Sequence, residues 1–427
     1  MTITNPPPAA LLATTPFLAF RARHFGLVWL SGLIWHLCRW GVAFLGTYLI
    51  NDLTGSPRLV QLAGTTLYAP LLIGGVIGGV LSDRIDRLAT VRIQMAAMVP
   101  ITVLIGMLVR SGHIAVWMLY IYMFIVGFGW VSDMTSRRAL VFDLVGDALL
   151  DKAMAMEAMS LAMGMVFGAL VGGYAVDSVG IGAAYFAIAG FAFLAILVLM
   201  PVTSPVPRAV REKTPSDGPT VRDLIRHRGL ISILGVTVIA NFFLFAYFPI
   251  IPVIAEDLDA SPFQVGLLAG GTGIGMMTGS LVMARMTPRH RGLAYLAGLV
   301  VAFGFLMLFA IGTNYWFVFA AIVASGVGSG VFGATQSTLV VAAVPEEARG
   351  KALGLLSMAI GGLPLGMYVL GEVAEATSPS TALLINAVGG VAVLGAWVML
   401  RPEVASMTDE QYTQLGCEKP ESSQVPV

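Results

Sequence analysis

Ionisable side chains are scarce in the apolar parts of this sequence, which makes the few that occur there informative. The chain carries 24 lysines and arginines, 24 aspartates and glutamates and five histidines. Among the charged residues, only Arg39 and Glu157 lie inside runs long and apolar enough to cross a bilayer. Arg39 stands at the centre of the run 26–50. An arginine at mid-bilayer costs about 2.5–3.5 kcal/mol on insertion scales, so it must face a protein interior or a water-filled cavity. His36 lies one turn earlier on the same helical face, and Trp40 follows directly. Three roles fit this pattern. Arg39 is tied to carbonyls or a polar neighbour, or it contacts a substrate, or it belongs to a coupling unit in which His36 titrates near neutral pH.

The carboxylates narrow the chemistry further. No Asp or Glu falls in the middle third of any apolar run; Asp133 ends the fourth and Glu157 begins the fifth. A cavity lined this way is neutral to positive and is expected to favour anionic or amphipathic, partly apolar small molecules. His36, Asp133 and Glu157 are the candidate coupling groups. Helical spacing adds Tyr68, Tyr122, Asn241, Phe245, Ser329 and Gln336 to His36, Arg39 and Trp40 as candidate substrate contacts, although each of the six reads equally as interhelical packing or hydrogen bonding. Asn241 precedes Pro249 and Pro252, which are expected to kink the seventh run into a gate. Met154, Met156, Met159, Met163 and Met165 form an adaptable surface or fill a core.

Other chemistries find no residues. A phosphate-cradling Gly-x-x-x-x-Gly-Lys-Ser/Thr loop is absent, so a proton gradient is the expected energy source. No Ser/His/Asp set or metal-ligand cluster shares a depth, and His24, His113, His227 and His290 lie in tails or loops. No enzyme activity, metal or cofactor is expected. Cys38 and Cys417 are too differently placed for a disulfide.

These residues need a scaffold, and composition says which kind. The 427 residues are 57% hydrophobic and 11% charged, with a mean hydropathy of +0.86; soluble domains carry about 25% charged residues. Twelve apolar runs of spanning length occur: 26–50, 59–81, 93–109, 114–132, 153–176, 178–200, 229–255, 263–284, 292–312, 315–344, 352–371 and 379–400. In lipid each must be a helix, because backbone groups need partners within their own segment. Nearly all arginines and lysines fall in one set of alternate loops and both tails, so the positive-inside rule places both termini in the cytosol. The N-terminal stretch lacks the basic region and cleavage site of a signal peptide. The expected organisation is a tail (1–25), a six-helix bundle (26–200), a linker (201–228), a second six-helix bundle (229–400) and a second tail (401–427). Balanced charge gives no reason to expect a nucleic-acid partner. The expected partners are a small-molecule substrate, protons and the lipid bilayer.

The halves resemble each other. Asp52–Pro57 recurs as Asp257–Pro262, and Gly146–Ala153 aligns with Pro345–Ala352. Parallel six-helix repeats joined by a cytosolic linker bind substrate near the midplane where the repeats meet. After the second run comes Gly79-Val80-Leu81-Ser82-Asp83-Arg84-Ile85-Asp86-Arg87-Leu88, which resembles the Gly-x-x-x-Asp-Arg-x-Gly-Arg-Arg/Lys signature of the major facilitator superfamily. Asp86 replaces the family's second glycine. The fifth run holds Gly164-x-x-x-Gly168-Ala169-x-x-Gly172-Gly173, similar to the exporter motif of that superfamily with Ala169 in place of its proline. Span eleven supplies a proline-bearing counterpart at Gly361–Gly366 through Pro364. The loop expected after the fourth run, with Arg138–Val145, resembles an efflux branch that includes the enterobactin exporter and macrolide-efflux-type proteins.

The resemblance implies an all-α integral membrane transporter with twelve helices in two pseudo-symmetric bundles, working by alternating access in the bacterial inner membrane as a monomer. It marks Gly79, Asp83, Arg84, Arg87, Gly164, Gly168, Gly172, Gly173 and Pro364 as conformational-gate residues, and it favours export. The arginine of the best-understood proton-coupled drug antiporters is missing, since Met123 stands where an Arg-x-x-Gln-Gly pattern ending at Gly127 would put it. Lysolipid or metal-handling carriers of the same fold, a membrane-bound lipid enzyme and a non-transporting sensor are the alternatives.

Overall fold

The computed structural model describes residues 16–72, 86–146, 149–203, 219–286, 290–345 and 348–406. Every regular element among them is helical. After a 3-10 segment (Pro16–Arg21) come α1 (Phe25–Thr54), α2 (Pro57–Tyr68), α3 (Arg87–Arg110), α4 (Val116–Val145), α5 (Leu150–Val179) and α6 (Ile181–Leu199). A short α7 (Val221–Arg226) precedes α8 (Arg228–Ile239) and α9 (Ile251–Glu256). Then follow α10 (Pro262–Met286), α11 (Arg291–Ile311), α12 (Tyr315–Ala342), α13 (Arg349–Ile360), α14 (Leu363–Ala376), α15 (Pro379–Leu400) and α16 (Glu403–Ser406). Eleven helical stretches among the described residues are long and apolar enough to cross a membrane. The chain is a multi-pass membrane protein. Of the expected span 59–81, residues 73–81 lie outside the described residues.

Helix starts follow local chemistry. Ser56 caps α2 by accepting from the Leu59 amide, with Pro57 at the first helical position; Ser378 and Pro379 repeat the device at α15. Asp86 caps α3 by accepting from the Ala89 amide at 2.8 Å. Such caps contribute about 1 kcal/mol each. Gly55 closes α1 in the left-handed conformation (φ 59°) and returns its N–H to the Asn51 carbonyl.

Two expectations need correction. The stretch Arg138–Val145, read as a loop, is the end of α4, which runs 13 residues past the apolar run it contains. A charged residue ends an apolar run in a sequence, yet a helix continues through charges that find partners. The seventh span is not one kinked α-helix: α8 gives way to a π-helical turn at Ala240–Leu244 and a 3-10 stretch at Phe245–Ile250 before α9. Pro249 and Pro252 lack the N–H groups a continuous α-ladder needs.

The helices pack as two compact units, Met1–Glu212 with Phe248–Gly273, and Lys213–Tyr247 with Ile274–Val427. In the first, α1 is central and packs against α2, α4, α5 and α6. Close crossings depend on missing side chains. A Cβ at Gly127 of α4 would stand 1.9 Å from the Leu67 carbonyl oxygen of α2, so no larger residue fits there.

Candidate functional site

The face of α1 around Arg39 and Trp40 is the part of the first unit with the most unmet polar demand. Arg39 is 3% exposed. Its guanidinium carbon lies 4.4 Å from the centre of the Trp40 ring and 3.9 Å from that of Trp130 on α4. Tyr68 stands edge-on to Trp130 at 5.6 Å and interacts with the Arg39 side chain. Two indole faces attract the cation by about 0.5–2 kcal/mol each, but a π face accepts no strong N–H bond. Arg39 Nε and Nη1, Trp40 Nε1 and His36 Nδ1 are buried without a hydrogen-bond partner.

Trp40 and Tyr68 also line a pocket within this unit of about 540 Å³, counting its open mouth. Its walls are aromatic and apolar: Phe44 on α1, Met165 and Ala169 on α5, Phe248 and Pro252 in the seventh span. The Trp40 ring meets Phe248 edge-on at 6.1 Å. Thr47 is the pocket's aliphatic hydroxyl, and that hydroxyl returns to the Ala43 and Phe44 carbonyls of its own helix. An apolar cleft with a few convergent polar groups is the usual form of a small-molecule site.

The α5 glycines set the depth of this face. A Cβ at Gly164 would lie 2.4 Å from the Cβ of His36, one at Gly168 2.6 Å from the Leu37 carbonyl oxygen, and one at Gly172 2.8 Å from the Phe44 ring. Gly173 looks the other way, where its Cβ would meet the Pro262 carbonyl oxygen at 2.5 Å.

A second polar cluster begins one turn further along α4 from Trp130. Asp133 is fully buried and Arg137 is 2% exposed. Arg137 Nη2 donates to Asp133 Oδ1 at 2.8 Å and Nε to Oδ2 at 3.0 Å, while Nη1 reaches the Val28 carbonyl at 3.1 Å. Gln94 Nε2 on α3 donates to Asp133 Oδ1 at 2.8 Å. Arg137 packs over Gly32, where a Cβ would lie 3.2 Å from Nη1. Glu157 on α5 is half-buried, and its Oε1 is buried without a partner. Arg137, assigned to a loop by its charge, is therefore an interior residue of a helix.

The remaining candidates are distributed as follows. Tyr122 is buried away from the pocket, hydrogen-bonded with Thr102 at 2.9 Å and beside the Tyr185 ring. In the second unit Asn241 donates to the Thr237 carbonyl at 2.9 Å, and Gln336 donates to the Thr237 hydroxyl at 3.1 Å, which also meets the Tyr295 hydroxyl at 3.0 Å. Ser329 bonds back to the Ser325 carbonyl, and Phe245 tilts against Phe332. Arg87 joins the start of α3 to the end of α4 through Asp143 at 2.8 Å and the Ala139 carbonyl at 2.7 Å. Gly79, Asp83 and Arg84 lie outside the described residues. Pro364 opens α14 after the turn at Gly361 and Gly362. Trp130, Gln94 and Phe248 were missed by sequence reasoning. Arg137 had a visible signal, its spacing of four residues from Asp133.

Comparison with known proteins gives this arrangement a context. The enterobactin exporter EntS of Salmonella choleraesuis (strain SC-B67) is 26% identical over 360 residues, covering 82% of this chain and 85% of that protein. The enterobactin exporter EntS of Citrobacter koseri is 25% identical over 368 residues with the same coverage. Among solved structures, a bacterial homologue of the human lysosomal transporter Spinster in an inward-facing, occupied conformation aligns with a TM-score of 0.70 at 14% identity, covering 92% of this chain and 98% of that one. A D-xylose–proton symporter aligns with a TM-score of 0.67 at 15% identity, covering 90% and 97%. These two likenesses concern the fold. Residues 14–424 match the family model described as transmembrane secretion effector, and the chain accordingly belongs to the major facilitator superfamily.

Proposed function

We propose that this protein is a secondary active exporter of small aromatic or amphipathic molecules carrying an acidic group. The observation that carries the reading is Arg39: a buried guanidinium held between Trp40 and Trp130, with two N–H groups unmet, directly behind the wall of an aromatic pocket. A carboxylate, sulfonate or acidic phenol entering the pocket supplies the missing acceptor, and its ring lies against Trp40, Phe44 and Phe248. Charge-assisted hydrogen bonds to guanidinium are the strong class, and low polarity around the site strengthens them.

Similarity to the enterobactin exporters over most of the chain supports export. The scheme is completed by twelve spans in two six-helix halves, cytosolic termini, placement in a bacterial inner membrane, alternating access and proton coupling. The ionisable groups among which the coupling site is sought are His36, Asp133 and Glu157, and the α5 glycines supply the close helix crossing along which α1 is held.

The test is a thermal-shift titration of the purified full chain with anilinonaphthalene sulfonate and with ethidium, in wild type and in Arg39→Gln. Stabilisation by the anion, absent in Arg39→Gln, is the expected result. Stabilisation by the cation in both proteins would overturn the assignment of substrate class and make Arg39 a packing residue.

A further inference from the structure

We propose that Glu157 carries the coupled proton and that Asp133 does not. The inference deepens the transport reading above and rests on it for the word coupled. A proton carrier needs an oxygen with room for a hydrogen and a path to water.

Asp133 has neither. Its Oδ1 accepts from Arg137 and Gln94, its Oδ2 accepts from Arg137, and the residue is fully buried. Protonating it would strand a buried guanidinium, and removing one partner of a buried pair is strongly destabilising. The pair is a fixture that ties α4 to α1 through the Val28 carbonyl and to α3 through Gln94.

Glu157 has both. Oε1 is buried with no partner, while the residue as a whole is partly exposed at the surface, two turns from the start of α5. Its helix is anchored there by Trp29, whose Nε1 donates to the Met156 carbonyl at 2.8 Å. The charged groups around it come from few elements. From α4, Arg137, Arg138 and Asp133 act on it. From α1 the ionisable groups at the Arg137 cluster are His36, itself 7% exposed beneath Gly164, and Arg39, which interacts with Asp133. Helix α6 carries no charged residue, and the 3-10 segment packed on α5 contributes only the exposed Arg21. A proton taken from water converts the Glu157 carboxylate to a carboxylic acid, and its release to water restores the carboxylate; no other bond is made or broken.

The test uses the full chain in lipid vesicles and infrared difference spectra between buffers of about pH 6 and about pH 8, a window in which ordinary carboxylates stay ionised. A carboxylic-acid C=O band is expected in wild type, absent in Glu157→Gln and present in Asp133→Asn. Asp133→Asn strips a buried arginine of its partner and is the variant at risk of misfolding. Glu157→Asp is therefore the second variant, in which the band is expected to shift and persist. A band that survives Glu157→Gln overturns the proposal, as does its absence from wild type. A purely structural role for Glu157 would lower the melting temperature of Glu157→Gln and leave the band in place, which also overturns it. The same vesicles separate this inference from the transport reading. Proton-driven flux of anilinonaphthalene sulfonate should fall to the protein-free level in Glu157→Gln, and flux that survives overturns coupling at Glu157. If wild type shows the band but no flux, the transport reading fails and Glu157 stands as the titrating group.

Discussion

Arg39 and Arg137 lie in the same packing unit, are 3% and 2% exposed, and are served by their surroundings in opposite ways. Arg137 faces a carboxylate in bidentate geometry, a carbonyl and a glycine that makes room for it. Arg39 faces two indole rings and keeps two N–H groups without acceptors. A charge that the fold satisfies is part of the scaffold. A charge that the fold surrounds with polarizable faces, and leaves short of acceptors, is the one on which the proposed site rests. Burial alone does not separate these two arginines; the count of unmet donors does.

The largest expected effect tests the first half of this contrast. Arg137→Met leaves Asp133 buried without a counter-charge and should cost about 3–5 kcal/mol, read as a fall in the detergent melting temperature. The double change Asp133→Leu with Arg137→Met should recover most of it, because an apolar pair of similar volume is often neutral there. A double variant as unstable as the single would mean that the pair holds more than itself. The second half predicts the reverse for Arg39. Arg39→Gln should cost less than Arg137→Met, since the loss of two cation–π contacts of about 0.5–2 kcal/mol each is offset by relief of a buried charge with unmet donors, while abolishing anion-induced stabilisation. Arg39→Lys should not restore binding, because an ammonium lacks the planar fork that stacks and donates in pairs.

Intermediate effects belong to the packing that frames both arginines. Gly168→Ala puts a methyl 2.6 Å from the Leu37 carbonyl oxygen and should cost about 1–3 kcal/mol through overpacking, with loss of ligand-induced stabilisation because the Arg39 face moves. Gly190→Ala, whose added methyl would have no heavy atom within 4 Å, is the control expected to be silent. The smallest effect lies outside the spans. Thr220 donates its hydroxyl and amide hydrogens to Asp223, which holds that carboxyl below its usual range. A lowered carboxylate stabilises above its ordinary pKa and loses that contribution as pH falls through the lowered value. Protection of the Val221–Arg226 amides, taken relative to intrinsic exchange at each pH, should therefore fall only in acid, and Asp223→Ala should remove the dependence.

Much of the scaffold could be read directly from residue types. The positions of the eleven described spans, the burial of Arg39 and the close crossings at the α5 glycines follow from apolar length, a costly charge and small-residue spacing. What could not be read shares one physical cause. Trp130 meets Arg39 across two helices, and Phe248 meets Trp40 from the seventh span, so neither contact has a local period. Arg137 looked like a loop residue because hydropathy counts its charge without its partner. Asn241, Ser329 and Gln336 were legible as interior polar residues; their carbonyl and hydroxyl partners depend on how helices are rotated.

The interrupted seventh span has a consequence for how the molecule opens and closes locally. Residues up to Tyr247 pack with one unit and those from Phe248 with the other, and the change falls in the 3-10 stretch that follows the wide π turn. The Asn386 side chain donates to the Phe243 carbonyl there, supplying a side-chain donor at the break. A regular α-ladder transmits fraying from turn to turn, whereas a break with its own capping donor stops it. The span should thus behave as two foldons, with separate hydrogen-exchange protection on either side of Tyr247 inside what hydropathy counts as a single helix.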